Sequence, residues 1–438
     1  MINSIRNWWR SQKFRAAIKQ GDRHHARKIF KEIQKSGAKL SWEEKLFKDQ
    51  LKLEKILHKK NETLKGLYQR LEELELQLGF GPFQELSVKH DEQILFPDEK
   101  FIDFLSKTFK LIERDKNLLE CTGIDRRVFD DFEADLTEFL KKELKNVSRE
   151  KKVDYLLKEA IHDLNKLKQG EDPEYRFELS PHVYLMRYFL ENVYCAYLAW
   201  FLIYKAGLLP TQINILDIAA GPGTIAYGLA LLLQSSNGFF PMPPMHISYY
   251  SLEQQKSFQY WGLKFWRQYM EPKAMNAYFR FDTSNLFDYP KQSGKLPRKF
   301  FDFIVISHCF FYEPDTRSQS NRIYQEIFTN SLKDSGYILL IIQDKKIFNS
   351  YNIRQSEDKF QEFTVITRFV NELGLKLVWY KYVNSSHQRT SLSSAEFLKL
   401  AREKLPKQAS MSQLIKKYFN YRYEFSYALD DYVILAKR

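Results

Sequence analysis

One stretch constrains the fold of this chain more than any other: Ile213-Asn214-Ile215-Leu216-Asp217-Ile218-Ala219-Ala220-Gly221-Pro222-Gly223-Thr224. Ile213, Ile215, Leu216 and Ile218 read as a short buried strand, the apolar run expected inside a parallel sheet. The chain then turns through Gly221-Pro222-Gly223, and residues 225–233 are apolar and helix-compatible. A strand, a glycine-rich turn and a helix let backbone approach a nucleoside closely and aim helix N–H groups at it. Asp217, at the strand end, can accept hydrogen bonds or pair with a cation.

The rest of an α/β sheet follows. Residues 247–253 read as a second strand closing on Glu253, an acid placed to accept hydrogen bonds from ribose hydroxyls. The Ser/Gly/Pro-rich stretch 235–244 reads as an insertion that lengthens the spacing from Asp217 to Glu253 beyond the usual ~20 residues. A short third strand over 278–283 carries Asp282 near its end. Residues 301–308, 336–342, 375–382 and 432–436 supply the fourth to seventh strands. Helical patterns such as 360–373 lie between most of them, the alternation that builds a mostly parallel sheet with helices on both faces.

With these residues in place, the chain resembles the class I S-adenosylmethionine (SAM)-dependent methyltransferases. Their first motif is an apolar pair, an acid and three spaced glycines. Leu216 and Asp217 fit it, Gly221 and Gly223 fill the second and third glycine positions, and Ala219 stands at the first. The resemblance covers about residues 180–438 and implies a seven-stranded Rossmann-like sheet, SAM as cofactor and methyl transfer as activity. It implies that the backbone of Ala219, Gly221 and Gly223 faces the methionine part of SAM. Asp217 would anchor that part, Glu253 the ribose and Asp282 the adenine, with Thr283 and Ser307 also cofactor-binding.

The acceptor side is less marked. His308 and Tyr312 follow the fourth strand, where acceptors approach in the resembled family, and are the catalytic candidates, His308 as general base. Phe310, Phe311 and Tyr312 form either an aromatic platform for a planar acceptor or core. The Asp/Asn-Pro-Pro-aromatic tetrapeptide of the amino-group methyltransferases is absent: Ser307-His308-Cys309-Phe310 stands in its place. Cys309 lacks the Pro-Cys context of a cytosine-C5 mechanism. The three cysteines, Cys121, Cys195 and Cys309, are far apart. This excludes a CxxC-type metal centre and fits a reducing compartment, so no metal site and a cytoplasmic chain are the expectations. No apolar signal segment follows the basic N-terminus.

The formal net charge is +13, and residues 1–40 hold eleven Lys/Arg against Asp22 and Glu32. Such an excess favours an anionic partner. Residues 8–37 read as a basic helical hairpin turning at Gly21-Asp22, with Ala16, Ala17 and Ile18 set to meet Ala26, Ile29, Phe30 and Ile33. This pair binds phosphate, lies on a membrane surface through Trp8 and Trp9, or is a solvated pair docked on the next domain. Ser41 and Glu44 form a capping box, and Leu53 to Leu78 carry a heptad seam for coiled-coil or intramolecular packing. The expected domains are 1–80 (hairpin and heptad helix), 81–172 (α-helical) and 179–438 (Rossmann-like).

The helix expected over 182–206, after Ser180-Pro181, is apolar, but Arg187, Glu191 and Asn192 favour burial over spanning a membrane. A late insert, 391–423, interleaves Lys399, Arg402, Lys404, Lys407, Lys416, Lys417 and Arg422 with Tyr418, Phe419, Tyr421 and Tyr423. Basic residues among aromatics suit RNA phosphates and bases; the bland alternative is a solvated face. Taken together, the residues and the resemblance point to a methyltransferase acting on RNA or a ribonucleoprotein. The alternatives are a protein methyltransferase, or an assembly factor that keeps the fold without turnover.

Overall fold

The structure is a computed structural model that describes residues 9–14, 16–17, 23–37, 40, 44, 94–148, 153–169, 173–240, 243, 245–273, 277–292, 296–419 and 424–438. The chain divides into two compact units, 1–89 and 90–438. In the first, residues 9–14 and 16–17 are helical and α1 spans Arg23–Lys35. Phe14 and Ala17 bury against Ala26, Ile29, Phe30 and Ile33, with the Phe14 and Phe30 rings 6.0 Å apart. Ala16, expected in that seam, is exposed, and Phe14 takes its place. Gly37, at φ +67°, ends α1 as a left-handed cap. Ser11 donates to Glu44 (2.6 Å). Ile18, the Gly21-Asp22 turn, Ser41 of the capping box and the seam at 53–78 lie outside the described residues.

The second unit is built on one sheet: β1 (Ile112–Glu113), β2 (Leu118–Glu120), β3 (Gln212–Ile218), β4 (His246–Leu252), β5 (Ala277–Asp282), β6 (Phe301–Ser307), β7 (Leu332–Gln343), β8 (Lys376–Asn384) and β9 (Asp430–Lys437). Their order is β1-β2-β8-β9-β7-β6-β3-β4-β5. The expected seven strands are all present, but the sheet has nine. The two additional strands form a hairpin that joins the edge of β8. At two and three residues they are too short to display an alternating pattern in sequence. β3, β4, β5, β6 and β7 are mutually parallel, whereas β9 runs antiparallel to both β7 and β8.

The central strands β3, β6, β7 and β9 are buried on both faces over most of their length, which is why they read as apolar runs. Ile213 and Ile215 of β3, Phe303 and Val305 of β6 and Val433 and Leu435 of β9 face one core; Leu216, Ile218, Ile304, Ile306 and Ile434 face the other. The first core takes in α2 (Glu99–Thr108), α3 (Arg126–Ser148), α4 (Val153–Leu164), α5 (Ser180–Arg187), α6 (Phe189–Lys205), α7 (Thr224–Ser235) and α8 (Lys256–Tyr269). Residues 94–169 thus share a core with the sheet. The second core is covered by α9 (Pro314–Ser331), α10 (Asp344–Asn349) and α11 (Lys359–Glu372). α12 (Ser394–Glu403) is mostly exposed, and α13 (Ala409–Phe419) returns to the first face, burying Met411, Leu414 and Ile415.

The single helix expected over 182–206 is two helices. Tyr188 leaves helical geometry (φ −126°, ψ −28°) and its hydroxyl donates to Leu164 O (3.1 Å). α6 is buried against α7: Trp200 donates to Ile225 O (3.1 Å), and a Cβ on Gly228 would meet Ala196 Cβ at 2.7 Å. Among the described residues no helix is long and apolar enough to cross a membrane. Part of the presumed insertion, Phe239 and Phe240, packs on Phe101 with ring separations of 5.2 and 5.9 Å.

Candidate functional site

At the C-terminal edge of β3, β4 and β6 the chain encloses a cavity of about 540 Å³. Its floor begins where β3 ends. Ala219 and Gly221 line it, both left-handed at φ 55°, and Gly223 (φ 87°) caps α7 just behind. The left-handed state costs an L-residue on the order of 1 kcal/mol, the reason glycine is favoured at the position Ala219 holds. The Ala219 N–H donates to Leu252 O (2.7 Å) and the Gly223 N–H to Ala220 O (2.8 Å). A Cβ on Gly221 or Gly223 would meet nothing within 4 Å, so this side of the turn is open.

The back of the turn is closed. Gly262 of α8 packs so tightly that its Cβ would stand 2.1 Å from Pro222 O. Tyr227 of α7 donates to Gly262 O (2.7 Å) and holds the two helices together there. Sequence reading did not single out Gly262; a lone glycine in an otherwise aromatic helix is the signal it left.

Glu253 follows β4 and lines the cavity. Its Oε2 accepts the Gly221 N–H (2.8 Å) and its Oε1 the Gln255 N–H (2.7 Å), so the acid also fixes the turn. Burial raises its pKa, and the backbone donors oppose that rise. Asp217 does not line the cavity. It is 1% exposed beneath the turn, and its Oδ2 accepts from the Tyr249 hydroxyl. Its Oδ1 has no partner among the described residues. Burial pushes Asp217 up to about 8, against the lowering by Tyr249. Asp282 and Thr283 also stand outside the lining. The Asp282 carbonyl accepts from Gln259 Nε2 (3.0 Å), and Thr283 Oγ1 donates to Gln259 Oε1 (2.7 Å). Ser284, Asn285, Leu286 and Phe287 line that end of the cavity in their stead.

Across the cavity, Ser307 closes β6 and His308, Cys309, Phe310 and Phe311 follow it. His308 is left-handed (φ 58°), and its N–H donates to Ile341 O (2.8 Å). Burial and the Lys346 charge hold its imidazole down at about 4, so it is neutral. Tyr312 is 46% exposed and does not line the cavity. Phe311 packs on Phe287 (5.6 Å).

Several lining groups escaped the sequence reading. Tyr184, Tyr188 and Asn192 come from the α5–α6 break, with Asn192 Nδ2 donating to the Tyr184 hydroxyl (2.8 Å). Gln343, Lys345, Lys346 and Asn349 come from the β7–α10 junction, and Asp430 from the start of β9. Lys345 and Lys346 supply positive charge to a lining that also carries the carboxyls of Glu253 and Asp430.

No protein-family model and no curated protein matches the chain. Solved structures do match it. A SAM-dependent methyltransferase from Methanosarcina mazei is 15% identical over 52% of this chain and 94% of its own, with a TM-score of 0.25. Geranyl diphosphate C-methyltransferase from Streptomyces coelicolor, in complex with geranyl diphosphate and S-adenosyl-L-homocysteine, is 12% identical over 52% of this chain and 72% of its own (TM-score 0.28). An arsenic(III) S-adenosylmethionine methyltransferase from Chlamydomonas reinhardtii is 13% identical over 51% of this chain and 62% of its own (TM-score 0.23).

Proposed function

We propose that this chain is a SAM-dependent methyltransferase whose cofactor occupies the cavity at the ends of β3, β4 and β6. One observation carries the reading: a left-handed, open-faced glycine turn and a carboxylate bonded to backbone amides line the same cavity. Ligands of α/β sheets bind outside the carboxyl ends of the strands, where a glycine turn admits close backbone approach. The residues fit the cofactor. Gly221 and Gly223 leave the space a side chain would fill, and each Glu253 oxygen keeps a lone pair for ribose hydroxyls. Ser284 and Asn285 are better placed than Asp282 and Thr283 to meet the base.

SAM supplies a methyl group on a sulfonium, whose displacement leaves a neutral thioether. The chain's own contribution is alignment, exclusion of water by the aromatic wall, and removal of a proton. His308, neutral and on the acceptor side, is the base in this reading; Ser307 lines the cofactor boundary. Asp217 acts on the turn from below rather than by touching the ligand.

Calorimetric titration with S-adenosylhomocysteine tests the site. Binding at micromolar strength is expected, with at least about a tenfold loss in Glu253→Ala, since hydrogen bonds to a charged group contribute ~1.5–3 kcal/mol. A folded protein that binds neither S-adenosylhomocysteine nor SAM would overturn the reading. For the acceptor we propose RNA or a ribonucleoprotein. The net charge of +13 and the exposed Lys399, Arg402 and Lys404 on and just after α12 support it, and the salt dependence of RNA retention tests it.

A further inference from the structure

Because β9 runs antiparallel to its neighbours, its first residues, not its last, stand at the edge where the cavity opens. Asp431 pairs with Gln343, the last residue of β7. His308 follows β6 and bonds through its N–H to Ile341, two residues earlier on β7. The two side chains therefore meet across the end of β7, with His308 Nδ1 3.7 Å from Asp431 Oδ1. Neither that oxygen nor His308 Nε2 has a hydrogen-bond partner among the described residues. His308 is also held in a left-handed backbone conformation, strain of a kind that clusters at functional sites.

We infer that Asp431 is a positioning residue for His308, holding the ring proton on Nδ1 so that the lone pair of Nε2, itself a buried atom of this cavity-lining residue, is kept for an acceptor O–H or N–H. The inference rests on the methyltransferase reading. In the step it serves, the acceptor oxygen or nitrogen bonds to the methyl carbon. The carbon–sulfur bond breaks with its electron pair passing to sulfur, and the acceptor's proton moves to Nε2. An acceptor that is already an anion, such as a thiolate, needs no such base. The pair therefore selects for a protic hydroxyl or amine-type acceptor.

The groups around the pair set its working range. Asp344 and Lys346 approach from α10, Asp430 lies beside Asp431 on β9, Lys345 faces Asp430, and Glu191 and Cys195 face the acids from α6. Burial first, then Asp344, pushes Asp431 up to about 7, against a backbone N–H and the Cys195 thiol. Above that value the pair is a carboxylate beside a neutral imidazole, the state that keeps the proton on Nδ1. Below it, Asp431 carries its own proton and competes for Nδ1.

Nitrogen-15 NMR of the full chain, labelled on histidine, reads the tautomer directly, with His308→Gln identifying the signals among nine histidines. At about pH 8.5, above the Asp431 value, the Nδ1–H tautomer is expected in the wild type and the Nε2–H tautomer in Asp431→Leu. The ratio should change at least about tenfold when the carboxylate beside Nδ1 is removed. An Nε2–H wild type, or a smaller change, overturns the inference. Should the variant fail to fold, a wild-type pH series decides: the Nδ1–H fraction must rise through about 7, and a flat fraction sinks the idea. S-adenosylhomocysteine titration of the same samples separates the two readings. Lost binding with an intact tautomer shift would remove the cofactor assignment, not the pair.

Discussion

A carboxyl group that is 1% exposed, with a tyrosine hydroxyl as its one donor among the described residues, is driven toward its neutral form. Asp217 is in that position, with its value raised from 3.8 to about 8. A raised folded-state pKa means stability that is present below the unfolded value and lost as pH rises through the folded one. The penalty on ionisation is of order 5 kcal/mol. Asparagine imitates the neutral acid, so Asp217→Asn should flatten the fall in thermal stability between about pH 4 and 8; a melt series that declines equally in both proteins across that window argues against a protonated Asp217. His182 gives the opposite limb. It is 2% exposed, edge-on to Trp261 at 4.4 Å, with neither ring nitrogen hydrogen-bonded among the described residues. Burial first, then Lys264, lowers it from 6.5 to about 4. Stability is therefore present above 6.5 and lost as pH falls toward 4, by about 3 kcal/mol. His182→Phe keeps the ring contact and should hold its melting temperature across that window, where the wild type drops.

At the scale of elements, the turn after β3 depends on how closely α8 backs it. Gly262→Ala must displace either α8 or Pro222, at a cost of about 1–3 kcal/mol, and should weaken S-adenosylhomocysteine at least about tenfold. Gly228→Ala is the control. Its clash is with Ala196 and Tyr197 on α6, so it should lower stability while leaving affinity within about threefold. Equal affinity losses in both would place the effect in global stability. The β1–β2 hairpin is held by another buried contact. Arg389, 4% exposed, donates to Glu362 of α11 (2.8 Å) and to both oxygens of Asp115 between β1 and β2 (2.8 and 2.9 Å). Arg389→Met takes the guanidinium from the buried Glu362, to which the Tyr380 and Tyr432 hydroxyls still donate, and leaves Asp115 paired with Lys359, and should cost about 3 kcal/mol in denaturant melts.

These elements were unevenly legible in the sequence. The central strands β3, β6, β7 and β9 were readable because burial on both faces makes each an apolar run, and Glu253 because it closes the strand β4. The reversal of β9 was not, since strand direction leaves no trace in composition, and that reversal brings Asp430 to the cavity and Asp431 beside His308. The break at Tyr188 has no Pro or Gly to announce it, so the pattern over 182–206 reads as one continuous helix and gives no sign that Tyr184, Tyr188 and Asn192 meet at the cavity. Asp282 was read as facing a ligand because it ends a strand. Its neighbour Gln259, on α8, engages its carbonyl and the Thr283 hydroxyl instead. Such a contact depends on tertiary packing that no local pattern encodes.

For the molecule as a whole, the question is where its positive charge is free to act. Part of the 391–423 insert is committed to the fold: α13 buries Met411, Leu414 and Ile415, and Lys407 donates to Ala401 O. α12 is different. A capping box of Ser393 and Glu396 starts it, Phe397 and Leu398 are 41% and 50% exposed, and Lys399, Arg402 and Lys404 share its exposed surface. Aromatic and basic groups side by side are what a single strand needs for stacking and phosphate contact. Each phosphate contact on a single strand contributes about 0.7 to the slope of log affinity against log salt. Replacing Lys399, Arg402 and Lys404 by glutamine should therefore lower the slope for a single-stranded RNA by about 2. Deleting residues 1–78, with most of the chain's excess charge, provides the independent arm. A fall in slope only on deletion assigns RNA to the first unit. A fall only in the triple variant assigns it to α12, beside the sheet that bears the cavity. An unchanged slope in both leaves the charge without an RNA role and turns the acceptor toward protein or a small molecule, which the protic chemistry of the His308–Asp431 pair accommodates equally well.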